Sequence, residues 1–223
     1  MSRFTLLFWV ASGVNFLSPL LPVLAFIHQQ RSGKYQVRPW MAKLGALLMF
    51  QLLVNWGMLG TSINGRHNDW LEDMAYLPEM VLSLRVLDGI GERVLPRTVL
   101  LACLGLMGGA AAINASQVGL EKTWPLAWTV ASLLLLALCL WQLLGLITRR
   151  GSGSIWSQPA FWLLTSWPLM LGVDLTFYPL HNFFLKSLSR SWILVPWFAK
   201  YVIGLILNLG VARTFLCPKL SSS

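Results

Sequence analysis

Between Asn68 and Glu92 the chain gathers six of its eight carboxylates inside a sequence otherwise apolar enough for lipid. Asp69, Glu72, Tyr76, Glu79 and Ser83 recur at three- and four-residue intervals, which places them on one face of a helix. Leu71, Met74, Leu77, Val81 and Leu84 fall on its other faces. A carboxylate at the depth of Glu79 is costly in a bilayer unless it meets protein or water, so the polar stripe is expected to face the inside of a helical bundle. That marks a site without naming its ligand.

Lys200, in WFAKYVIGL, is the second chemically pointed residue. An ammonium there needs a carboxylate or a path to water. Three readings stand open: an ion pair with Asp174 or Glu72 that fixes helix packing, contact with an anionic or zwitterionic ligand, and a Schiff base.

Other chemistry is absent from the sequence. There is no H-E-x-x-H, no dinucleotide or phosphate loop and no nucleophile elbow. His28, His67 and His181 all fall at expected connections. His67 and His181 could join Asp69 and Glu72 in a metal site or in proton transfer, but solvated loop histidines are the simpler reading. Glu72, Asp73 and Glu79 come from one helix and are poorly placed to converge on a substrate from opposite sides. No enzymatic activity is expected.

The elements that must hold these groups are read from hydropathy. The 223 residues are 56% hydrophobic and 11% charged, with a mean hydropathy of +0.64. That composition describes an integral membrane protein. Seven apolar stretches, at 4–27, 41–60, 68–88, 97–116, 124–147, 158–178 and 192–215, form one all-α domain. The third is the least hydrophobic, so a six-span arrangement with that helix re-entrant stays open. The stretch at 4–27 lacks the charge pattern and cleavage site of a signal peptide.

The net charge of +9 shows no basic face suited to nucleic acid. Its distribution instead sets orientation. With the amino terminus outside, ten basic residues fall on the inner side (Arg31, Lys34, Arg38, Lys43, Arg93, Arg97, Arg149, Arg150, Arg213 and Lys219). Five fall outside, at Arg3, Arg66, Lys122, Lys186 and Arg190. The positive-inside rule therefore places the carboxyl terminus in the cytoplasm.

Orientation sorts the buried polar groups into two layers. Asn55, Glu72, Asp174 and Lys200 belong to an outer layer roughly 6 to 12 Å below the surface, and Asn15, Gln51 and Glu79 lie near the midplane. His181 and Asn182 are expected above them in an outer loop. Spans one, two, three, six and seven would line an outward-facing chamber. The fourth and fifth, almost without buried polar groups, would be scaffold or a surface for a partner. The small-residue run GLMGGAAAINAS in the fourth reads as a helix-packing face.

Of the tryptophans, Trp9, Trp40, Trp70, Trp124, Trp156 and Trp192 read as interfacial anchors. Trp56, Trp162, Trp167 and Trp197 are deep enough to line a pocket. Cys103, Cys139 and Cys217 read as small apolar residues, with Cys217 a weak candidate for acylation.

Two resemblances add to this. Arg66, Asp69, Trp70 and Leu71, the pair Trp167-Pro168, and Ala199-Lys200 followed by Gly204-Leu205 are similar to the third, sixth and seventh helices of microbial rhodopsins. That resemblance implies retinal on Lys200, while Pro196 stands where the family carries a second carboxylate. The chain more closely resembles a group of small seven-span membrane proteins of Bacteroidota. The likeness rests on Ser18 to Pro22, Asn68-Asp69-Trp70-Leu71 with Tyr76 and Glu79, Gln158 to Trp162, and Trp192 with Asn208. It implies a bacterial inner-membrane protein in which Glu79 and Phe161-Trp162 are expected features.

The leading expectation is a receptor-like sensor that binds a small polar ligand from outside through Asn55, Glu72, Tyr76, Glu79, Asp174 and Lys200. It would signal through a separate membrane or cytoplasmic partner. The alternatives are a transporter or proton-coupled permease, an assembly subunit of a membrane complex, and a retinal protein.

Overall fold

The computed structural model describes residues 10, 13–14, 17–63, 69–90, 95–119, 124–148, 154–187 and 194–218. Among them are seven α-helices: α1 (Leu20–Ser32), α2 (Pro39–Ile63), α3 (Asp69–Ile90), α4 (Arg97–Val118), α5 (Pro125–Thr148), α6 (Pro159–Ser187) and α7 (Leu194–Phe215). The described residues contain no strand, only an isolated bridge between Tyr35 and Pro218. The all-helical expectation is met. Five helices, α2, α4, α5, α6 and α7, hold stretches long and apolar enough to cross a bilayer, the mark of a multi-pass membrane protein. α3 is too charged to count by that measure, with Asp69, Glu72, Asp73, Glu79, Arg85 and Asp88 along its length.

Prolines set several starts. Pro39, Pro125 and Pro159 each occupy the first helical position, where the missing N–H has no intrahelical partner to lose. Internal prolines, Pro78 in α3 and Pro168 and Pro179 in α6, remove one backbone bond each and favour a bend. Two boundaries differ from expectation. α1 continues through His28, Gln29 and Gln30 to Ser32, ending at Gly33 in the left-handed conformation. α6 runs past Tyr178 and Pro179 to Ser187, so His181 and Asn182 belong to a helix and not to a loop.

The principal contacts make a closed circuit, α1 on α2, α2 on α3, α3 on α5, α5 on α6, α6 on α7 and α7 back on α1. α4 lies outside it, against α3 and α5. This changes the role expected of the fifth span, which is an integral wall. It also carries buried polar groups, Ser132 and Gln142, as α4 carries Asn114. The Gln142 amide donates to the Leu87 carbonyl on α3 at 3.3 Å.

Helices approach closely at three glycines. A methyl on Gly45 would lie 2.6 Å from the Phe26 ring, one on Gly89 2.7 Å from Trp40 Cβ, and one on Gly210 would overlap the Ser166 hydroxyl. Those contacts set α2 on α1, α3 on α2 and α7 on α6. The small-residue run of α4 behaves otherwise, because a methyl on Gly105, Gly108 or Gly109 meets nothing within 4 Å. Within the chain those glycines form no packing face, although Ala110 and Ala111 are buried. The turn just before α1 is joined to α7 by Asn208, whose buried amide donates to the Ser18 hydroxyl at 3.1 Å.

The tryptophans divide differently from the expected belt. Trp40 and Trp124 are core residues at 5% and 7% exposure, whereas Trp56 turns outward at 54%. Trp70 and Trp156 are exposed, as anchors would be, and Trp167 is buried. Trp9 and Trp192, with Asn15, His67 and Asn68, lie outside the described residues, as does the side chain of Trp197.

Candidate functional site

Among the described residues, besides the Ser18–Asn208 and Gln142–Leu87 bonds, polar side chains gather in four groups, two at the ends of the bundle and two within it. At the end where α5 begins, Trp124 and Ala127 carry backbone N–H groups that the first turn of α5 cannot satisfy internally. Asp73 of α3 accepts from the Trp124 N–H at 3.3 Å, and Asn114 of α4 accepts from the Ala127 N–H at 2.7 Å. A carboxylate at a helix N-terminus also gains from the helix dipole. The Tyr76 hydroxyl donates to the Ala127 carbonyl at 2.9 Å, and its ring meets Trp128 edge-on at 5.0 Å. Asp73, Tyr76 and Asn114 are all buried. Two of the polar residues of α3 thus tie it to α5, and Tyr76, a candidate ligand contact, has its proton committed to that bond.

Midway along α3, Glu79 accepts a hydrogen bond from the Gln51 amide of α2. Pro78 beside it frees the Met74 carbonyl from the helix ladder. Gln51 and Glu79 therefore meet across the α2–α3 contact, as their expected common depth requires. Asn55, one turn along α2 from Gln51, is half-buried.

Across the α6–α7 contact the Lys200 ammonium stands 2.9 Å from an Asp174 carboxylate oxygen. The Phe177 ring, one turn on from Asp174, lies 4.9 Å from the same ammonium. The side chains keep 22% and 27% of their exposure, so the pair is shielded but reachable. Of the two carboxylates considered for Lys200, Asp174 is the one in place. Glu72 is on α3, but its side chain lies outside the described residues, as does that of Asp69. α2 and α3 are not among the principal neighbours of α6 and α7, so the two couples stand on different walls of the circuit.

The fourth cluster closes the opposite end. The Gln29 amide donates to the Gln36 carbonyl and to Met41 Sδ, the latter at 3.0 Å. The Gln36 N–H donates to the Cys217 carbonyl at 3.0 Å, next to the Tyr35–Pro218 bridge. The α1–α2 connection and the segment after α7 are therefore laced together. Cys217 is fully buried, and its thiol donates to the Arg213 carbonyl at 3.4 Å. Burial pushes that thiol above its ordinary pKa, with the Arg213 charge opposing. A thiol so enclosed is a poor acylation target. Cys103 and Cys139 are buried apolar residues, as expected.

Asp73, Asn114, Gln29 and the Ser18–Asn208 pair were not singled out as functional groups from the sequence. Pro125 announces the start of α5, but its caps come from other helices, Asp73 from 51 residues away, so no local pattern reveals them. Among the described residues no three of His, Cys, Asp or Glu are grouped to hold a metal ion. Comparison with protein families, with curated proteins and with solved structures finds nothing that matches this chain.

Proposed function

We propose that the chain is a receptor-like protein of a bacterial inner membrane. Its seven spans place the amino terminus outside and the Cys217 end in the cytoplasm, and it binds a small zwitterionic or anionic ligand at the Asp174–Lys200 couple. The observation that carries this reading is the couple itself. Two opposite charges sit 2.9 Å apart between two apolar helices, neither fully buried. About six residues, or roughly 9 Å of helix, separate Lys200 from the start of α7, which would leave the pair near the outer face. A ligand carboxylate can compete for the ammonium, and a ligand amine for the carboxylate. Displacing either partner changes how α7 sits on α6, which gives the site a means of reporting occupancy to a separate partner at the other end.

The test is thermal unfolding of detergent-purified protein with a panel of amino acids and short carboxylates. At least one compound raises the midpoint of the wild type and of neither Lys200→Met nor Asp174→Asn. A panel without effect on the wild type, or with equal effect on the variants, sinks the reading.

A second reading, a proton-coupled transporter, draws on Glu79. This carboxylate shares a hydrogen bond between two helices, beside a proline that loosens one of them. It would show as pH-dependent solute flux in proteoliposomes that Glu79→Gln abolishes.

A further inference from the structure

The stretch from Gln158 to Trp162 plays no part in the binding site proposed above, yet it builds an aromatic platform. Trp156, in the short 3-10 turn Ile155–Ser157 before α6, meets Phe161 at 4.9 Å and Trp162 at 5.8 Å between ring centres. Phe161 and Trp162 close the triangle at 5.9 Å. The Trp162 indole N–H donates to the Trp156 carbonyl at 2.9 Å, which fixes the Trp162 ring to the turn that enters α6. Above this group lies Arg213 of α7, its guanidinium carbon 5.9 Å from the Trp162 ring centre. Trp156 is 60% exposed, and Arg213 is exposed.

A guanidinium resting on an indole is held by its face and keeps its N–H fork for an anion. Among the described residues little is placed to fill that fork. After α5 the one described carboxylate is Asp174, which Lys200 holds farther along α6. Asp88 belongs to α3, which is not a principal neighbour of α6 or α7, and it accepts from the Leu95 N–H at 3.1 Å. Further cations gather instead. The Tyr35–Pro218 bridge brings the α1–α2 connection, with exposed Lys34 and Arg38, beside the end of α7. Half-exposed tryptophans at the end of apolar helices belong at the level of lipid headgroups, where the available anion is a phosphodiester.

We propose that Arg213, set on Trp162 and flanked by Trp156, is a binding site for the phosphate headgroup of an anionic phospholipid. The guanidinium fork takes two phosphate oxygens, the indoles pack against the glycerol and upper acyl region, and Lys34 and Arg38 add attraction. The site requires that this end of α6 and α7 lie at a membrane surface, and it is independent of the receptor reading.

The experiment is native mass spectrometry of the full chain in detergent, titrated with phosphatidylglycerol. Arg213→Gln binds the lipid about fivefold more weakly, the loss of one cation near a membrane surface. Arg213→Lys keeps the charge but loses the fork, and it binds measurably more weakly than wild type. Lys43→Gln, removing a cation whose ammonium lies over Gly89 of α3, leaves the affinity unchanged. Millimolar inorganic phosphate does not displace the lipid. Unchanged binding in Arg213→Lys, an equal loss in Lys43→Gln, or full displacement by free phosphate each overturns the proposal.

Discussion

Lys200 and Asp174 face each other at 2.9 Å across the contact of α6 and α7, with Phe177 beside the ammonium. Removing one partner takes from the other its 2.9 Å counter-charge in a partly shielded wall, whereas removing both restores neutrality. Lys200→Met alone is expected to cost about 2 kcal/mol, below the fully buried case because both groups retain some exposure. The double variant Asp174→Asn/Lys200→Met should cost less than the sum of the singles. Strict additivity in denaturation of detergent-solubilised protein contradicts a direct pair.

The same pairing bears on retinal. Lys200 Nζ is engaged by the Asp174 carboxylate at 2.9 Å with the Phe177 ring beside it, and an aldehyde has to reach that nitrogen to condense with it. Protein expressed with all-trans-retinal is expected to show no visible absorbance band and to match Lys200→Ala. A band lost in that variant contradicts the receptor reading.

At the start of α5, Asn114→Ala removes the acceptor for the Ala127 N–H and should cost about 1 to 2 kcal/mol, as loss of a helix cap does. Tyr76→Phe keeps the ring packed on Trp128 and loses a single hydrogen bond, about 1 kcal/mol. Denaturation midpoints ranking Tyr76→Phe as the more damaging of the two contradict this assignment of roles.

Cys217 provides a probe of the opposite end. Its thiol is buried and its pKa lies above the ordinary thiol value, so native protein resists maleimide near neutral pH and labels after unfolding. The raised value has a stability consequence of defined sign. Below the ordinary thiol pKa of 9.0 both states hold the proton, and above it the unfolded chain releases its proton first. That contribution to stability therefore falls as pH rises. Rapid labelling of native protein contradicts the closed end, and Cys217→Ala should flatten the alkaline loss.

Gly210→Ala forces a methyl onto the Ser166 hydroxyl and should destabilise by about 1 to 3 kcal/mol. Gly105→Ala meets open space and should be neutral or slightly stabilising, since alanine is the better helix former. A large loss at Gly105 in the purified chain contradicts the outward placement of that face.

Hydropathy made the helices legible because a spanning helix needs a long apolar run, and the described residues are helical where those runs lie. The continuation of α6 through Tyr178, Pro179, His181 and Asn182 was hidden by residues that read locally as a break. Neighbour relations were also hidden, since lipid-facing and helix-facing leucines look alike in sequence. Thus α5 was taken for scaffold although it walls the circuit, and Trp40 and Trp124 for anchors although they are core. The two couples were partly legible, because a charge in an apolar helix demands a partner at its own depth. That argument offered Asp174 or Glu72 for Lys200 and a shared layer for Gln51 and Glu79. It could not say that Asp73 and Tyr76 serve α5, since that need arises only when two helix ends meet in space.

The Asn208–Ser18 hydrogen bond spans 190 positions of sequence, and α1 packs more extensively on α7 than on α2. α1 therefore gains its largest described interface only once α7 has been made, and the circuit shuts last at that seam. A chain stopped before α7 would leave Ser18 without the Asn208 amide, and that uncovered face would distinguish an unfinished molecule from a finished one.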